Sequence, residues 1–308
     1  MKIACDKMLP MQWFTRLDGH EMNAPLAEAE VLMTTFYGKV TRDTLAQMPK
    51  LRLVTQFGVG YDNIDVVACK ERGILVTNTP LPVVESTAEL CMGLIYAIAR
   101  RISELDRGLR DGSCEPFGLM NNLSHSVYGK TLGIIGMGNI GKAVARRAAA
   151  GGMDIIYHNR HRLPEEVEQR YHARYVEQDY LLQNADFISL NLPLTADVRH
   201  LISERELHMM KPTAYLINTA RGAHIDEAAL VKALQENVIA GAAVDVYEYE
   251  PIISEGLKHL NNCIIVPHVG TATWETRQAM ADAMIDNVIA YSRGEYDKMT
   301  VVKEIRDL

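Results

Sequence analysis

Short runs of apolar, often β-branched residues alternate with longer amphipathic segments along the whole chain. In the first part, this pattern predicts strands at residues 3–5, 31–33, 51–56 and 74–77, with helices at 41–48 and 64–71 between them. A second series predicts strands at residues 131–136, 154–158, 186–192, 215–218, 240–246 and 263–267, with helices at 140–150, 203–210 and 226–236. Because such alternation is typical of doubly wound parallel sheets, the two series predict two α/β domains.

Two longer helical patterns, at residues 83–109 and 274–291, lie at the joints between the two series. A stretch rich in Gly, Pro and Asn follows the first of them, at residues 112–126. If the second long helix returns to the first domain, that domain is discontinuous in sequence.

The composition excludes several classes of protein. The chain has 308 residues, of which 48% are hydrophobic and 23% charged, and its net charge of −7 comes without any cluster of Lys and Arg that would indicate nucleic-acid binding. Its five cysteines are widely spaced without a CxxC pair, as expected in a reducing compartment. The start does not resemble a signal peptide, and the longest apolar stretch, at 91–99, is too short to span a membrane. We therefore expect a cytoplasmic protein. The histidines are not spaced as metal ligands usually are, so the sequence predicts no metal site.

A glycine-rich loop lies between the strand at 131–136 and the helix at 140–150. Its sequence is Gly136-Met137-Gly138-Asn139-Ile140-Gly141, a GxGxxG pattern in the strand–loop–helix context that dinucleotide binding requires. The first glycine permits the tight turn, the second lets the backbone approach a pyrophosphate, and the third lets helix and strand pack closely. The start of the following helix offers free N–H groups and a partial positive charge to the phosphates.

The end of the next strand bears on the choice of dinucleotide. NAD enzymes usually place a carboxylate there to bind the ribose 2′-hydroxyl, whereas this chain continues with Asn159, Arg160, His161 and Arg162. The two guanidinium groups can clamp a 2′-phosphate. The sequence therefore predicts NADP(H) as the preferred cofactor, with NAD(H) as the other option.

Three later strands are each followed by a polar residue suited to one chemical task. Arg221, Glu250 and His268 lie 29 and 18 residues apart, yet the carboxyl ends of parallel strands meet at one edge of a sheet. Arg221 can bind a carboxylate and polarise a neighbouring carbonyl oxygen. His268 is suited to exchange a proton near neutral pH, and Glu250 would favour its imidazolium form and orient the ring. This set predicts hydride reduction of a small 2-oxo acid.

The chain resembles the D-isomer-specific 2-hydroxyacid dehydrogenases over nearly its whole length. The resemblance is carried by GVGYDNID (58–65), TLGIIGMGNIG (131–141), NLPLT (191–195), INTARG (217–222), DVYEYEP (245–251) and PHVGTAT (267–273). Within the family, YHNRHR (157–162) is similar to the NADPH-using glyoxylate/hydroxypyruvate reductases.

The resemblance implies roles for individual residues. Arg221 would bind substrate, Glu250 would support the histidine, and His268 would be the acid/base. Backbone N–H groups near Val59 and Gly60 would hold the substrate carboxylate. Asp245 would bond the nicotinamide carboxamide, and Thr219 and Gly270 match cofactor-contact positions.

The family pattern also implies an organisation for the chain. Residues 1–98 and 287–308 would form a smaller flavodoxin-like substrate domain, residues 99–286 would form a Rossmann dinucleotide-binding domain, and the protein would be a homodimer. Cys114 stands where many relatives have Trp, and Leu81 follows Pro80 where many relatives have Gly. The sequence therefore does not specify which side chain the 2-oxo acid carries. The alternatives are an NAD(H)-dependent D-lactate- or phosphoglycerate-type dehydrogenase, a phosphite dehydrogenase, and a non-catalytic dinucleotide-sensing protein similar to the family's corepressors.

Overall fold

The computed structural model describes residues 1–306 and contains two compact units. One unit consists of Met1–Val83 and the segment that begins at Thr271, and the other is Val84–Gly270. In chain order the strands and α-helices are β1 (Lys2–Cys5), β2 (Glu21–Met22), β3 (Val31–Thr35), α1 (Arg42–Ala46), β4 (Leu53–Phe57), α2 (Val66–Glu71), β5 (Leu75–Thr77), α3 (Val83–Ala99), α4 (Ile102–Asp111), β6 (Thr131–Ile135), α5 (Asn139–Ala150), β7 (Asp154–His158), α6 (Glu165–Tyr171), β8 (Ala173–Tyr175), α7 (Gln178–Asn184), β9 (Phe187–Leu190), α8 (Glu204–Met209), β10 (Tyr215–Asn218), α9 (Glu227–Gln235), β11 (Gly241–Val244), α10 (Glu255–Lys258), β12 (Cys263–Ile265) and α11 (Trp274–Arg293).

The first unit is built on a five-stranded parallel sheet with the order β2-β1-β3-β4-β5. This is the flavodoxin-like order, in which the sheet winds outward in both directions from its first strand. All five residues of β3 and of β4 are buried, including the polar Thr34, Thr35, Thr55 and Gln56, so neither strand shows the alternation of a strand with one solvent-exposed face. The predicted fold of this unit is confirmed.

The second unit is built on a seven-stranded parallel sheet with the order β12-β11-β10-β9-β6-β7-β8. The order reverses between β6 and β9, so that β6 lies at the switch point where doubly wound sheets bind their ligands. The strand order is that of a Rossmann sheet with one extra strand, β12, and it confirms the predicted fold. The strand β12 brings His268 to the sheet, because His268 follows it by three residues.

The two long helices each belong to one unit. Helix α3 contributes Cys91, Ile95 and other buried side chains to the core of the second unit, and α11 packs against β4 in the first. The units divide at 83/84, after the first residue of α3, and at 270/271, before α11, whereas the sequence analysis placed the boundaries well inside these helices, at 98/99 and 286/287.

The single helix expected at residues 83–109 is wrong in one respect, because it is interrupted. Helix α3 ends at Ala99, and Arg101 adopts a left-handed conformation with φ of 55° before α4 begins. The Arg101 guanidinium bonds the Glu104 carboxylate and the carbonyl oxygen of Leu123, which holds the chain in this bend. Among residues 1–306, no helix is long and apolar enough to cross a membrane.

Candidate active site

The glycine-rich loop after β6 forms a tight backbone cradle. Gly136 has a φ of +96°, and a Cβ there would lie 2.7 Å from the backbone of Asn191, so this position requires glycine for both conformation and space. A Cβ on Gly141 would collide with the carbonyl oxygen of Gly136. A Cβ on Gly138, in contrast, would meet no atom within 4 Å, so the backbone at Gly138 faces open space.

This cradle fits the pyrophosphate of a dinucleotide. Gly138 is the N-cap of α5 and offers no side chain to the first N–H groups of the helix, which begins at Asn139 and Ile140. Beside the loop, Asn191 has a buried side-chain oxygen with no hydrogen-bond partner among residues 1–306. Free donors at a helix start and an unused polar atom next to them are what a bound phosphate and its ribose would satisfy.

The polar side chains in the segment after β7 each contact a different partner. The Asn159 Oδ1 accepts a hydrogen bond of 2.6 Å from the N–H of Met137, which ties this position to the glycine loop. Arg160 forms an ion pair with Asp197 at 2.6 Å, and Arg162 forms one with Glu168 at 2.8 Å. The two arginines expected to clamp one phosphate thus point to two different carboxylates.

His268 and Glu250 are brought into direct contact. The Nδ1 of His268 lies 2.8 Å from Oε2 of Glu250, and both side chains are about one-fifth exposed, at 19% and 20%. The backbone N–H of His268 donates to the carbonyl oxygen of Asp245 at 2.8 Å, and His268 has a φ of 53°, a conformation uncommon for residues other than glycine. The imidazole is therefore held from both its ring and its backbone, with Nε2 directed away from Glu250.

Glu250 is suited to be the ionised partner of this pair. Burial, the largest single effect, raises the pKa of Glu250, but the hydrogen bond and charge of His268, together with smaller contributions, bring that pKa below its ordinary value. The backbone N–H of Tyr247, at 3.0 Å from Oε1, and the charge of Arg221 act in the same direction. A carboxylate held in its charged form stabilises an imidazolium opposite it.

The loops around this pair are closely packed. The side chain of Asn218, at the end of β10, bonds the N–H of Ala220 and the carbonyl oxygen of Arg221, and so sets the path of the chain at Arg221. A Cβ on Gly222 would collide with the backbone of Tyr247 and Glu248. Glycine is therefore needed for the chain beside Arg221 to approach the segment that carries Glu250.

Asp245, Gly270 and Thr219 lie at the same end of the sheet. The Asp245 carboxylate accepts hydrogen bonds from the N–H groups of Val269, at 2.6 Å, and Gly270, at 2.8 Å. Burial raises the pKa of Asp245 to about 6 despite these bonds. Thr219 is buried and directly follows β10. The structure thus brings together the predicted catalytic residues and these three predicted cofactor contacts.

In the first unit, the loop after β4 presents backbone donors. Each carbonyl oxygen of Gly58–Gly60 accepts a hydrogen bond, from the N–H of Thr79 and the side chains of Asn78 and Gln56 respectively. The N–H of Gly58 donates to the Thr79 hydroxyl at 3.0 Å. The N–H groups of Val59 and Gly60 donate to no residue in the described part of the chain, so both remain available to an anion.

Several supporting residues, in one unit or the other, escaped the sequence analysis. Asn78 and Thr79 follow β5 in the same way that Arg221 follows β10, so the rule that polar residues after strands are functional candidates would have found them. Gly222 has no side chain that could mark it as a candidate, and the need for glycine there follows only from its close contact with the backbone of Tyr247 and Glu248. Asp197 and Glu168, which hold the two arginines, gave no signal either, since carboxylates on a solvated surface are common.

Comparison with known proteins agrees with this geometry. Residues 92–270 match the family model for the D-isomer-specific 2-hydroxyacid dehydrogenase NAD-binding domain. The chain is 45% identical over 282 residues to a glyoxylate reductase of Thermococcus litoralis, covering 90% of this chain and 85% of that protein. This chain belongs to the D-isomer-specific 2-hydroxyacid dehydrogenase family.

Solved structures of this dehydrogenase family match the chain over almost its entire length. An NADPH-dependent glyoxylate/hydroxypyruvate reductase of Sinorhizobium meliloti, in complex with NADP and malonate, superposes with a TM-score of 0.89 at 33% identity and covers 99% of this chain and 97% of its own. A D-lactate dehydrogenase of Aquifex aeolicus, complexed with NAD and lactic acid, has a TM-score of 0.87 at 28% identity, covering 98% and 99%. The protein is an NAD(P)-dependent 2-hydroxyacid dehydrogenase, as predicted.

Proposed function

We propose that this dehydrogenase reduces a small 2-oxo acid, glyoxylate or hydroxypyruvate, to the D-2-hydroxy acid, with NADP(H) in preference to NAD(H). The observation that carries the proposal is the 2.8 Å contact between the Nδ1 of His268 and Glu250, beside Arg221. The names of the relatives, glyoxylate reductase and glyoxylate/hydroxypyruvate reductase, support the choice of substrate. The absence of a carboxylate directly after β7, where Asn159 stands, supports the choice of cofactor.

The second unit would hold the dinucleotide through Gly136, Gly138, Asn139, Ile140 and Gly141 at the pyrophosphate, with Thr219, Asp245 and Gly270 near the nicotinamide. When bound, the dinucleotide supplies or accepts the hydride. The N–H groups of Val59 and Gly60 in the first unit would bind the substrate carboxylate.

Three residues of the chain would then bind the substrate, stabilise the developing charge and transfer the proton. Arg221 would bind the carboxylate and carbonyl oxygen in a forked geometry and stabilise the negative charge that develops on that oxygen. His268 would donate a proton from Nε2 to the same oxygen in reduction and accept it in oxidation. Glu250 would hold the ring orientation and stabilise the imidazolium.

The test is a spectrophotometric screen of NADPH and NADH oxidation with glyoxylate, hydroxypyruvate and pyruvate. Turnover with NADPH and one of the first two acids is expected, and replacing His268 with Ala should lower kcat by roughly a hundredfold or more. A clear preference for NADH would contradict the cofactor proposal. A His268→Ala variant near full activity would contradict the assigned proton donor.

We also propose that the protein is a homodimer joined through the second unit. The segment between α4 and β6 exposes several large apolar side chains, namely Phe117 (90%), Leu119 (95%), Met120 (72%), Leu123 (59%) and Tyr128 (78%). Several large apolar side chains exposed within one segment are unfavourable in water and support a protein interface there. Light scattering should give twice the chain mass for the wild type and a monomer for Leu119→Ser, whereas a monomeric wild type would contradict the proposal.

A further inference from the structure

The two arginines after β7 are held by very different ion pairs. Arg162 donates two hydrogen bonds to Glu168, at 2.9 and 2.8 Å, and the hydroxyl of Tyr157 donates a third at 2.6 Å. The Glu168 side chain is only 9% exposed. Removing Arg162 would leave this carboxylate buried with one neutral donor, so the arginine is committed to the fold.

Arg160 is held only loosely. Its partner Asp197 is 61% exposed, Arg160 itself is 69% exposed, and the two share one bond of 2.6 Å. Hydrogen bonds from the Thr195 side chain and from its own backbone, with the charge of Arg160, bring the pKa of Asp197 below its ordinary value, so Asp197 is ionised at neutral pH. Exposed ion pairs of this type contribute little to stability and exchange partners readily.

The strand order shows where this loose pair lies. Arg160 follows β7 and Asp197 follows β9, and β6, which carries the glycine loop, lies between these two strands. The ion pair therefore joins the segments on either side of the phosphate cradle. Asn159, immediately before Arg160, is itself bonded to the loop through the N–H of Met137. Arg160 and Asp197 are thus both placed at the ribose side of the dinucleotide site.

We propose that Asp197 is a specificity-determining residue that competes with the 2′-phosphate of the dinucleotide for Arg160, and that Arg160 alone reads this phosphate. The proposal rests on the proposed function and deepens it. Without a 2′-phosphate, Asp197 neutralises Arg160. When a 2′-phosphate binds, Arg160 leaves Asp197 for the phosphate, and the freed carboxylate repels the new charge. Asp197 therefore lowers the preference for the phosphorylated cofactor.

The experiment measures binding of adenosine 2′,5′-bisphosphate and 5′-AMP to the full chain by calorimetry, so that it does not depend on turnover. In Asp197→Asn, the bisphosphate should bind roughly three- to tenfold more tightly, because one like charge near the phosphate is gone, while AMP stays within about twofold. Arg160→Gln should abolish the preference for the bisphosphate. In the Arg160→Gln background, Asp197→Asn should then change the preference by less than about twofold, since the two effects act through one contact.

Two controls separate this mechanism from general effects of charge. Glu204→Gln removes a similarly exposed carboxylate, one paired with Lys232 at 2.8 Å, and should leave the preference unchanged. Arg162→Gln should lower the melting temperature through Glu168 but keep the bisphosphate preference.

The proposal is overturned if Asp197→Asn leaves the preference unchanged, if Arg162→Gln and not Arg160→Gln abolishes it, or if the wild type binds neither nucleotide. A wild type that binds the bisphosphate as expected but turns over no 2-oxo acid would refute the proposed function and leave this inference standing.

Discussion

Replacing Gly222 with Ala tests whether the site depends on a backbone contact that includes no catalytic atom. The added methyl group would collide with the backbone of Tyr247 and Glu248, which would have to retreat by about 1.5 Å to reach the 3.4 Å of ordinary van der Waals contact. These residues lie three and two positions before Glu250, and the Tyr247 N–H donates a hydrogen bond to its carboxylate. The displacement of this backbone would therefore also move Glu250, the partner of His268.

The expected result is a fall in kcat of roughly a hundredfold, the cost of moving a catalytic group by about 1 Å. Overpacking should also lower the free energy of unfolding by about 1–3 kcal/mol. The glycine loop after β6 is untouched, so the Kd for NADPH should stay within about threefold. Steady-state kinetics, urea denaturation and fluorescence titration of NADPH measure these three quantities.

Gly93→Ala is the matched control, because a Cβ at Gly93, in the middle of α3, meets no atom within 4 Å. This variant should keep full turnover and gain up to about 1 kcal/mol in stability from improved helix propensity. A folded Gly222→Ala variant with kcat within about threefold of the wild type would refute the reasoning, as would equal losses in both variants.

Three further substitutions test other contacts. Glu250→Gln keeps a hydrogen-bonding group beside His268 but removes its charge, so kcat at neutral pH should fall roughly tenfold or more. A kcat close to that of the wild type would contradict the pairing. Asn78→Ala removes the 2.8 Å hydrogen bond to the carbonyl oxygen of Val59. It should raise KM for the 2-oxo acid roughly tenfold and leave the Kd for NADPH unchanged. A weaker affinity for NADPH would show that the substitution disturbs more than the loop at Val59. Burial raises the pKa of Asp245 to about 6, so its contribution to stability is fully present below its ordinary value of 3.8 and is lost as pH rises through about 6. The free energy of unfolding of the wild type relative to Asp245→Asn should therefore decrease between about pH 4 and about pH 7, and a constant difference would argue against a buried ionisation.

The fold was predictable because fully buried parallel strands appear in the sequence as short runs rich in apolar and β-branched residues. The same rule misses β2 and β8, which have only two and three residues. It also misses the break between α3 and α4, since residues 100–101 are arginines and contain neither Gly nor Pro to signal a helix end. Short strands and unsignalled bends depend on tertiary contacts, which a local pattern does not record.

The contact between His268 and Glu250 was predictable for a different reason. His268 and Glu250 follow neighbouring strands, and the edge at which such residues meet follows from topology alone. The pairing of Arg160 with Asp197 spans 37 residues between flexible, exposed side chains, and no periodicity specifies which carboxylate a surface arginine selects. The side-chain partners at the ribose side of the site therefore had to be read from the structure.

The adjacency of β10, β11 and β12 has a consequence for how the chain can vary. Neighbouring strands are held about 4.8 Å apart by their hydrogen bonds, so the spacing of the groups that follow them is set by the sheet and not by the length of chain between them. The connections through α9 and α10 can lengthen at small entropic cost without moving Arg221, Glu250 or His268 relative to one another. Insertions and deletions are thus tolerated in these connections, whereas a single added residue within β11 or β12 would shift the register that aligns the site.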